Sequence, residues 1–412
     1  MSVIAFEKFA LGLQADRATT LQAPTYYINF SGSLTPQAPT QSSPVSDGTL
    51  AARARSNTPR KWSEWEGSGD LDMTDMLLWA SMGVQAGVTP STPGGATNSR
   101  LWTFTRSMAT NALKAATMWA GDPNVLIFRS DLCILKEFTV EADGSGTSNV
   151  SVNASGVGKF PVSSGTPTAI TKANPAVVTS PGHGLMNGDE VTFRGVTGMT
   201  QLNGNSYTVT NVTADTFELA TTDSSAFTLF TYSDNAYWVL DPPTYPAQSL
   251  GDVVSPLDIQ VWIDSSSNIG TTQVEGKVVK VSHTIPSGLQ EKFLPTGPGG
   301  GRTYSRIDPG KVEPSMTLAM EVDDPIHYNM FREGRLVKVR TRYNGGVIET
   351  VSGVTFRYYL QIDMIGKLED LSLDENEGVN RLFAFSLMGQ KHSELGNSDV
   401  KMYVQTNVAS LS

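Results

Sequence analysis

Apolar positions recur at every second residue through most of this chain, the period of a strand with one buried face. Tyr26, Ile28 and Phe30 share a face, and so do alternate residues of Leu101–Thr105, Cys133–Val140 and Asn149–Val152. The same pattern returns in 258–263, 277–281, 315–320, 335–341, 356–364 and 380–388. Period-two alternation fails in only two places that look helical. Asp72 precedes Met73, Met76, Leu77 and Ala80, an apolar stripe at helical spacing, with Asp75 in the first turn and Gly83 as a stop. Asp324-Pro325 opens a second short helix that ends at Gly334, with Asp at the N-cap and Pro at the first helical position. Ala109 to Trp119 fits either a strand or a short helix.

Between 157 and 235 the pattern tightens. Strand-like runs of four residues, such as Ala176-Val177-Val178-Thr179 and Glu190-Val191-Thr192-Phe193, alternate with turns at 181–184, 187–189 and 202–205. Short strands at this spacing describe a small separate β domain. Its flanks, 163–167 and 231–235, read as hinges. Residues 31–61 have no period at all. Pro36, Pro39, Pro44 and Pro59 lie among Ser, Thr and Gln and run into Arg53, Arg55, Arg60 and Lys61, so this stretch reads as an extended arm.

The outer regions also resemble each other. The acidic strand 136–144 followed by 149–156 parallels 369–378 followed by 380–389, and a capped helix precedes each. The pattern therefore predicts a mainly β protein with two tandem β-sandwich or barrel domains, each with a short flanking helix, plus one small inserted β domain. The divisions are 1–156, containing the arm 31–61; then 157–235; then 236–412 with a C-terminal tail.

Composition adds limits. Of 412 residues 17% are charged, low for a globular chain, and the net charge of −10 argues against a surface that grips nucleic acid. A single Cys excludes an intramolecular disulfide. The first residues lack a basic region followed by an apolar core, so no secretory signal is expected. No apolar run approaches the ~20 residues of a membrane span.

Candidate chemistry is sparse. The four His residues stand apart at 183, 283, 327 and 392, without metal-ligand spacing. His183 reads as a turn residue and Cys133, in an apolar run with no His nearby, as buried and inert. Asp374 to Gly378 fails the calcium-loop pattern, and Gly297–Arg302 lacks the end of a phosphate loop. No catalytic, cofactor-binding or metal-ligating residue is expected. Lys338, Arg340 and Arg342 alternate on one face of a strand. Two readings stand: a solvated face, or a surface complementary to Glu369, Asp370, Asp374 and Glu377 of a neighbouring copy.

The outer framework resembles the tail tube (major tail) proteins of long-tailed bacteriophages. The resemblance is carried by Ala10–Gln14, Thr19–Tyr26, the Gly67–Leu71 run into the helix, and Lys367–Leu373, and it covers 1–156 and 236–395. Val178–Phe193 looks like a small β module inserted in phage structural proteins. The resemblance implies a non-enzymatic virion protein, made in the host bacterial cytoplasm, that self-assembles into rings. Trimers follow if the duplication holds and hexamers if it does not. The rings would stack, with other tail proteins, into a tube through which DNA passes without specific binding. Pro36, Pro39, Pro44, Arg53, Arg55 and Arg60 would belong to the inter-ring arm. The alternative is a virion adhesin that binds the host surface through the inserted domain. A tail enzyme acting on carbohydrate rests only on spare carboxylates.

Overall fold

The computed structural model describes residues 7–16, 19–43, 55–110, 113–144, 148–248, 251–294, 302–321, 325–375 and 381–411. The chain is mainly β. The large sheet is built from β1 (Lys8–Leu13), β2 (Ser31–Gln37), β3 (Trp62–Asp70), helix α1 (Met73–Gly83), β4 (Arg100–Thr105), β5 (Ala116–Asp122), β6 (Leu126–Asp143) and β7 (Ser151–Gly158). It continues after the small domain with β8 (Ile259–Asp264), β9 (Val278–Pro286), β10 (Ser315–Glu321), helix α2 (Ile326–Arg332), β11 (Leu336–Val351), β12 (Val354–Glu375), β13 (Arg381–Gly389) and β14 (Val400–Thr406).

These strands pair antiparallel in the order β8-β11-β12-β13-β10-β9-β6-β7-β3-β2. Off this path β1 pairs with β5 and β5 with β6, while β14 lies between β12 and β4. Among the described residues no sheet closes into a barrel. The two outer regions are thus not separate sandwiches. They meet where β6 pairs with β9, from Lys280 opposite Asp143 to Pro286 opposite Glu137. Of the ambiguous stretch from Ala109 to Trp119, residues 116–119 open β5, because β1 and β6 flank them and take up their backbone groups.

Helix α1 begins as its sequence dictates. The Asp72 carboxylate accepts the Thr74 N–H at 2.7 Å. The helix is nevertheless buried on nearly every side rather than along one stripe. Trp79 stacks between Phe30 at 5.3 Å and Trp65 at 5.9 Å, so helix and sheet share one aromatic layer. Arg106 ties the far end down. Its guanidinium donates to the Gly83 and Pro286 carbonyls and pairs with Asp399 at 3.1 Å, linking helix, β9 and the residue before β14. Helix α2 starts at Ile326 with Pro325 at the N-cap position. Asp324, expected there, lies outside the described residues.

The arm expected over 31–61 is partly sheet. Pro36 sits in β2 opposite Ser63, a tolerable place for a proline because β2 ends the sheet. Residues 41–43 pair with 55–57. Pro44 and Arg53 lie outside the described residues.

Two predictions follow from packing. A Cβ on Gly156 of β7 would meet the Ile134 carbonyl at 2.0 Å and the Trp65 ring at 2.4 Å. Gly156→Ala should therefore cost about 1–3 kcal/mol, read as a lower urea midpoint at unchanged m-value. Asp75 is buried in the first turn of α1. Burial first, then the neighbouring Asp72 charge, push its carboxyl up from 3.8 to about 8, against the Asn29 N–H that it accepts. The folded state thus holds a proton that the unfolded chain releases near pH 4. Stability should fall as pH rises from about 4 to about 8, with a slope approaching 1.4 kcal/mol per pH unit. Asp75→Asn should flatten that slope in urea melts run across the window.

Candidate functional site

The segment between the two halves of the large sheet forms its own seven-stranded sheet, spanning Ser164 to Leu240. Its order is Ser164–Gly165, Tyr237–Leu240, Glu190–Arg194, Ser206–Thr210, Thr216–Leu219, Ala176–Thr179 and Ala169–Ile170. Gly165 pairs with Trp238, and Thr197 bridges to Thr231. The core packs Val178, Val191, Phe193, Val209, Phe217 and Trp238, all fully buried, and the Trp238 indole donates to the Ser180 hydroxyl at 3.0 Å.

A buried arginine, backbone pairing and apolar contacts seat this domain on the large sheet. Arg129, 1% exposed on β6, reaches into the turns 183–189. Its guanidinium binds the Asp189 carboxylate at 2.6 Å and the Gly184 carbonyl at 3.0 Å. Asp189 also accepts the Met186 N–H, so both of its oxygens are engaged. Val162 and Arg129 exchange backbone hydrogen bonds at 2.9 and 2.8 Å. Trp119 and Ile127 of the large sheet close the domain's apolar core from below. Asp131, 3.7 Å from the same guanidinium, has its carboxyl pushed up by burial against the pull of Arg129 and Lys159. His183 is the turn residue its setting suggests. Nδ1 accepts the Leu185 N–H, and burial lowers its pKa, so the ring is neutral at pH 7.

The domain carries a net negative charge and an exposed apolar stretch. Lys172 and Arg194 are its only Lys or Arg residues and are outnumbered by Asp and Glu. Leu229, Tyr232 and Tyr237 are exposed by 68%, 56% and 41% within one short stretch. Such side chains, set among acidic groups, suit contact with another protein.

The charged strand of the sequence reading lies elsewhere, and its residues are occupied within the chain. Lys338 binds Glu394 and the Ser267 carbonyl, Arg340 forms a two-point pair with Asp363 at 2.8 Å, and Arg342 binds Gln361 and covers the Tyr359 ring. None of these contacts involves Glu369 or Asp370. Both of those are exposed, and Asp370 accepts from Ser386. The Asp374 side chain and the whole of Glu377 lie outside what is described. Of the arm residues, Pro39 is exposed, Arg55 falls in the 55–57 strand, and Arg60 stands over Trp62 and Phe293. Cys133 is fully buried, and burial pushes its thiol up to about 12, so it is not poised as a nucleophile. Among the described residues no group of three or more His, Cys, Asp or Glu side chains is placed to hold a metal, and no helix is long and apolar enough to cross a membrane.

Residues 173–232 match the FCCH domain of ubiquitin-activating enzyme E1. The match lies wholly inside the small sheet and leaves the large sheet unassigned. No curated protein matches the chain. This finding corrects the functional expectations drawn from the phage resemblance. The matched domain comes from an enzyme of ubiquitin activation, so the tail tube assignment, the non-enzymatic reading, the self-assembled trimeric or hexameric rings, the other tail proteins, the DNA conduit and the virion location are withdrawn. The match does not favour an adhesin either. The resemblance failed because it rested on loose strand and turn motifs, which many β-rich chains share.

Sequence reasoning passed over Arg129 and Asp189. The signal was present: one arginine interrupts the apolar run Leu126-Ile127-Phe128, and one aspartate closes an Asn-Gly-Asp turn. Arg129→Met should leave Asp189 buried without its partner. We expect a loss of about 3–5 kcal/mol in the seating of the domain, seen as early proteolytic cleavage near 159–166 in limited digestion.

Proposed function

We infer that this chain acts in protein conjugation of the ubiquitin-activating kind, with residues 164–241 as the module that docks its protein partner. The observation that carries this reading is the FCCH match at 173–232, which falls on a unit with its own core and an exposed apolar, acidic stretch. The rigid seat on Arg129 supports it, because a module fixed to a scaffold presents a bound protein in one orientation. Thioester chemistry at Cys133 is disfavoured by its burial, so a covalent step in this chain would fall to other groups or to the bound partner's machinery.

We also propose that the regions on either side of the module are two copies of one unit, the first within 1–156 and the second between the end of the module's closing strand at Leu240 and residue 412. The supporting observation is strand order. In the first region β2-β3-β7-β6-β5-β1 are neighbours in that sequence; in the second, β9-β10-β13-β12-β11-β8 are. A helix follows β3 and another follows β10. An insertion between two copies would place the module where it stands, after β7 and before β8.

Immobilised full-length chain should bind ubiquitin with a dissociation constant in the micromolar range, about −8 kcal/mol, by biolayer interferometry. Deleting 166–240 should abolish the signal, and Leu229→Asp should weaken it about tenfold without loss of the folded near-ultraviolet spectrum. Ubiquitin that fails to bind at ~100 μM would sink the docking reading.

A further inference from the structure

One face of the large sheet carries a charge opposite to that of the whole chain. Strands β11, β12 and β14 lie side by side, and Arg342, Gln361 and Tyr403 stand in one row across them. The neighbouring row on the same face holds Arg340, Asp363 and Lys401. The row between, Thr341, Ile362 and Met402, is fully buried, so the pleat turns the charged rows away from the core.

The cations of this face fall into two groups. Lys338 and Arg340 spend their charge on Glu394 and Asp363. Arg342, Arg357 and Lys401 meet no carboxylate among the described residues. Arg342 donates to the neutral Gln361 Oε1 at 2.9 Å and stands 4.2 Å from the centre of the Tyr359 ring. Lys401 stands 5.2 Å from the centre of the Tyr403 ring, and Arg357 is exposed two residues before Tyr359. The carboxylates nearby are spent within the chain. Asp363 is buried against Arg340, Asp264 is buried and accepts the Gly270, Thr271 and Thr272 amides, and Glu349 accepts those of Thr97, Asn98 and Ser99. A chain of net charge −10 thus presents three unneutralised cations, two of them set over half-buried tyrosines.

This chemistry favours a protein over a nucleic acid. Both rings are already covered by a cation, which takes away the free faces on which bases stack, and the net negative charge opposes a polyanion. Tyr and Arg are also the side chains that anchor protein contacts. A guanidinium held over a ring and by Gln361 is already oriented, so it loses little freedom when it pairs with a carboxylate. We propose that the face centred on Arg342, Tyr359, Lys401 and Tyr403 docks an acidic segment of a partner protein, whose Asp or Glu carboxylates pair with Arg342, Arg357 and Lys401. This surface is separate from the small domain, and the inference does not rest on the docking role given to that domain.

The test follows the fluorescence anisotropy of a labelled peptide of alternating Glu and Ala, about ten residues or ~33 Å when extended, as full-length chain is added at low ionic strength. A Gln-Ala peptide of the same length is the neutral control. The Glu peptide should bind saturably and lose affinity as salt is raised, and the control should not bind. The double variant Arg342→Gln, Lys401→Gln should weaken binding at least about tenfold. If it does not fold, Arg357→Glu and Lys401→Glu, each alone, take its place. Leu229→Asp should leave the peptide titration unchanged, so failure of this face and failure of ubiquitin docking are read separately. A Glu peptide that does not bind, or that binds the charge variants as tightly as the native chain, overturns the proposal. A single-stranded oligonucleotide of equal charge that binds more tightly than the peptide, and is lost in the same variants, overturns it in favour of nucleic acid. A dimer in sedimentation velocity that the same variants dissolve overturns it in favour of a second copy of the chain.

Discussion

One strand holds this molecule together. β6 runs for 18 residues and has neighbours along its whole length. Its first half pairs with β5, and its second half pairs with β7 on one side and β9 on the other. Antiparallel pairing of β6 with β9 merges the two halves of the chain into one sheet and leaves both with a shared apolar core. Backbone groups on both edges of β6 are satisfied, so neither half retains an open edge at the junction. The same strand carries Arg129, whose burial is tolerable only because Asp189 and the Gly184 carbonyl answer it. Architecture and domain seating therefore meet on one element.

Buried charge is used sparingly elsewhere and in the same manner. Arg106 joins a helix end, a strand end and Asp399, three pieces of chain that are far apart in sequence. Arg340 and Asp363 form a two-point pair across β11 and β12. Each arginine satisfies acceptors that burial would otherwise strand, and each joins segments whose apolar packing alone would not fix their register. With 17% charged residues overall, few such groups are spare. The sharpest contrast is Glu349, a charge that holds its contact at the surface, through three backbone amides and the Asn98 side chain.

The FCCH match covers residues 173–232 within the small domain and does not extend to the large sheet. The large sheet holds the small domain in place through Arg129, Val162, Trp119 and Ile127. The small domain follows a loop after β7, which has by then completed its pairing with β3 and β6.

Period-two alternation by itself determined that this chain is mainly β, because the pleat sends successive side chains to opposite faces whatever the partner strand. Local chemistry also set the start of α1: the Asp72 cap needs only its own next residues. The small domain was visible as a change in turn spacing. Tertiary structure decided the rest. Which strands are neighbours depends on pairings between residues more than a hundred positions apart, such as Val140 with His283, and no local pattern encodes them. The β5 stretch carried a mixed pattern and became a strand only because β1 and β6 lay on either side. Asp75 looked like a helpful first-turn acid, yet burial, which sequence does not display, holds it protonated. Lys338, Arg340 and Arg342 did share one face, but their partners came from β12, from the turn after β13 and from the loop after β8, so a face that alternation marks as charged proved to be committed within the chain. Alternation fixes the face a side chain occupies; only the folded chain fixes what stands opposite it.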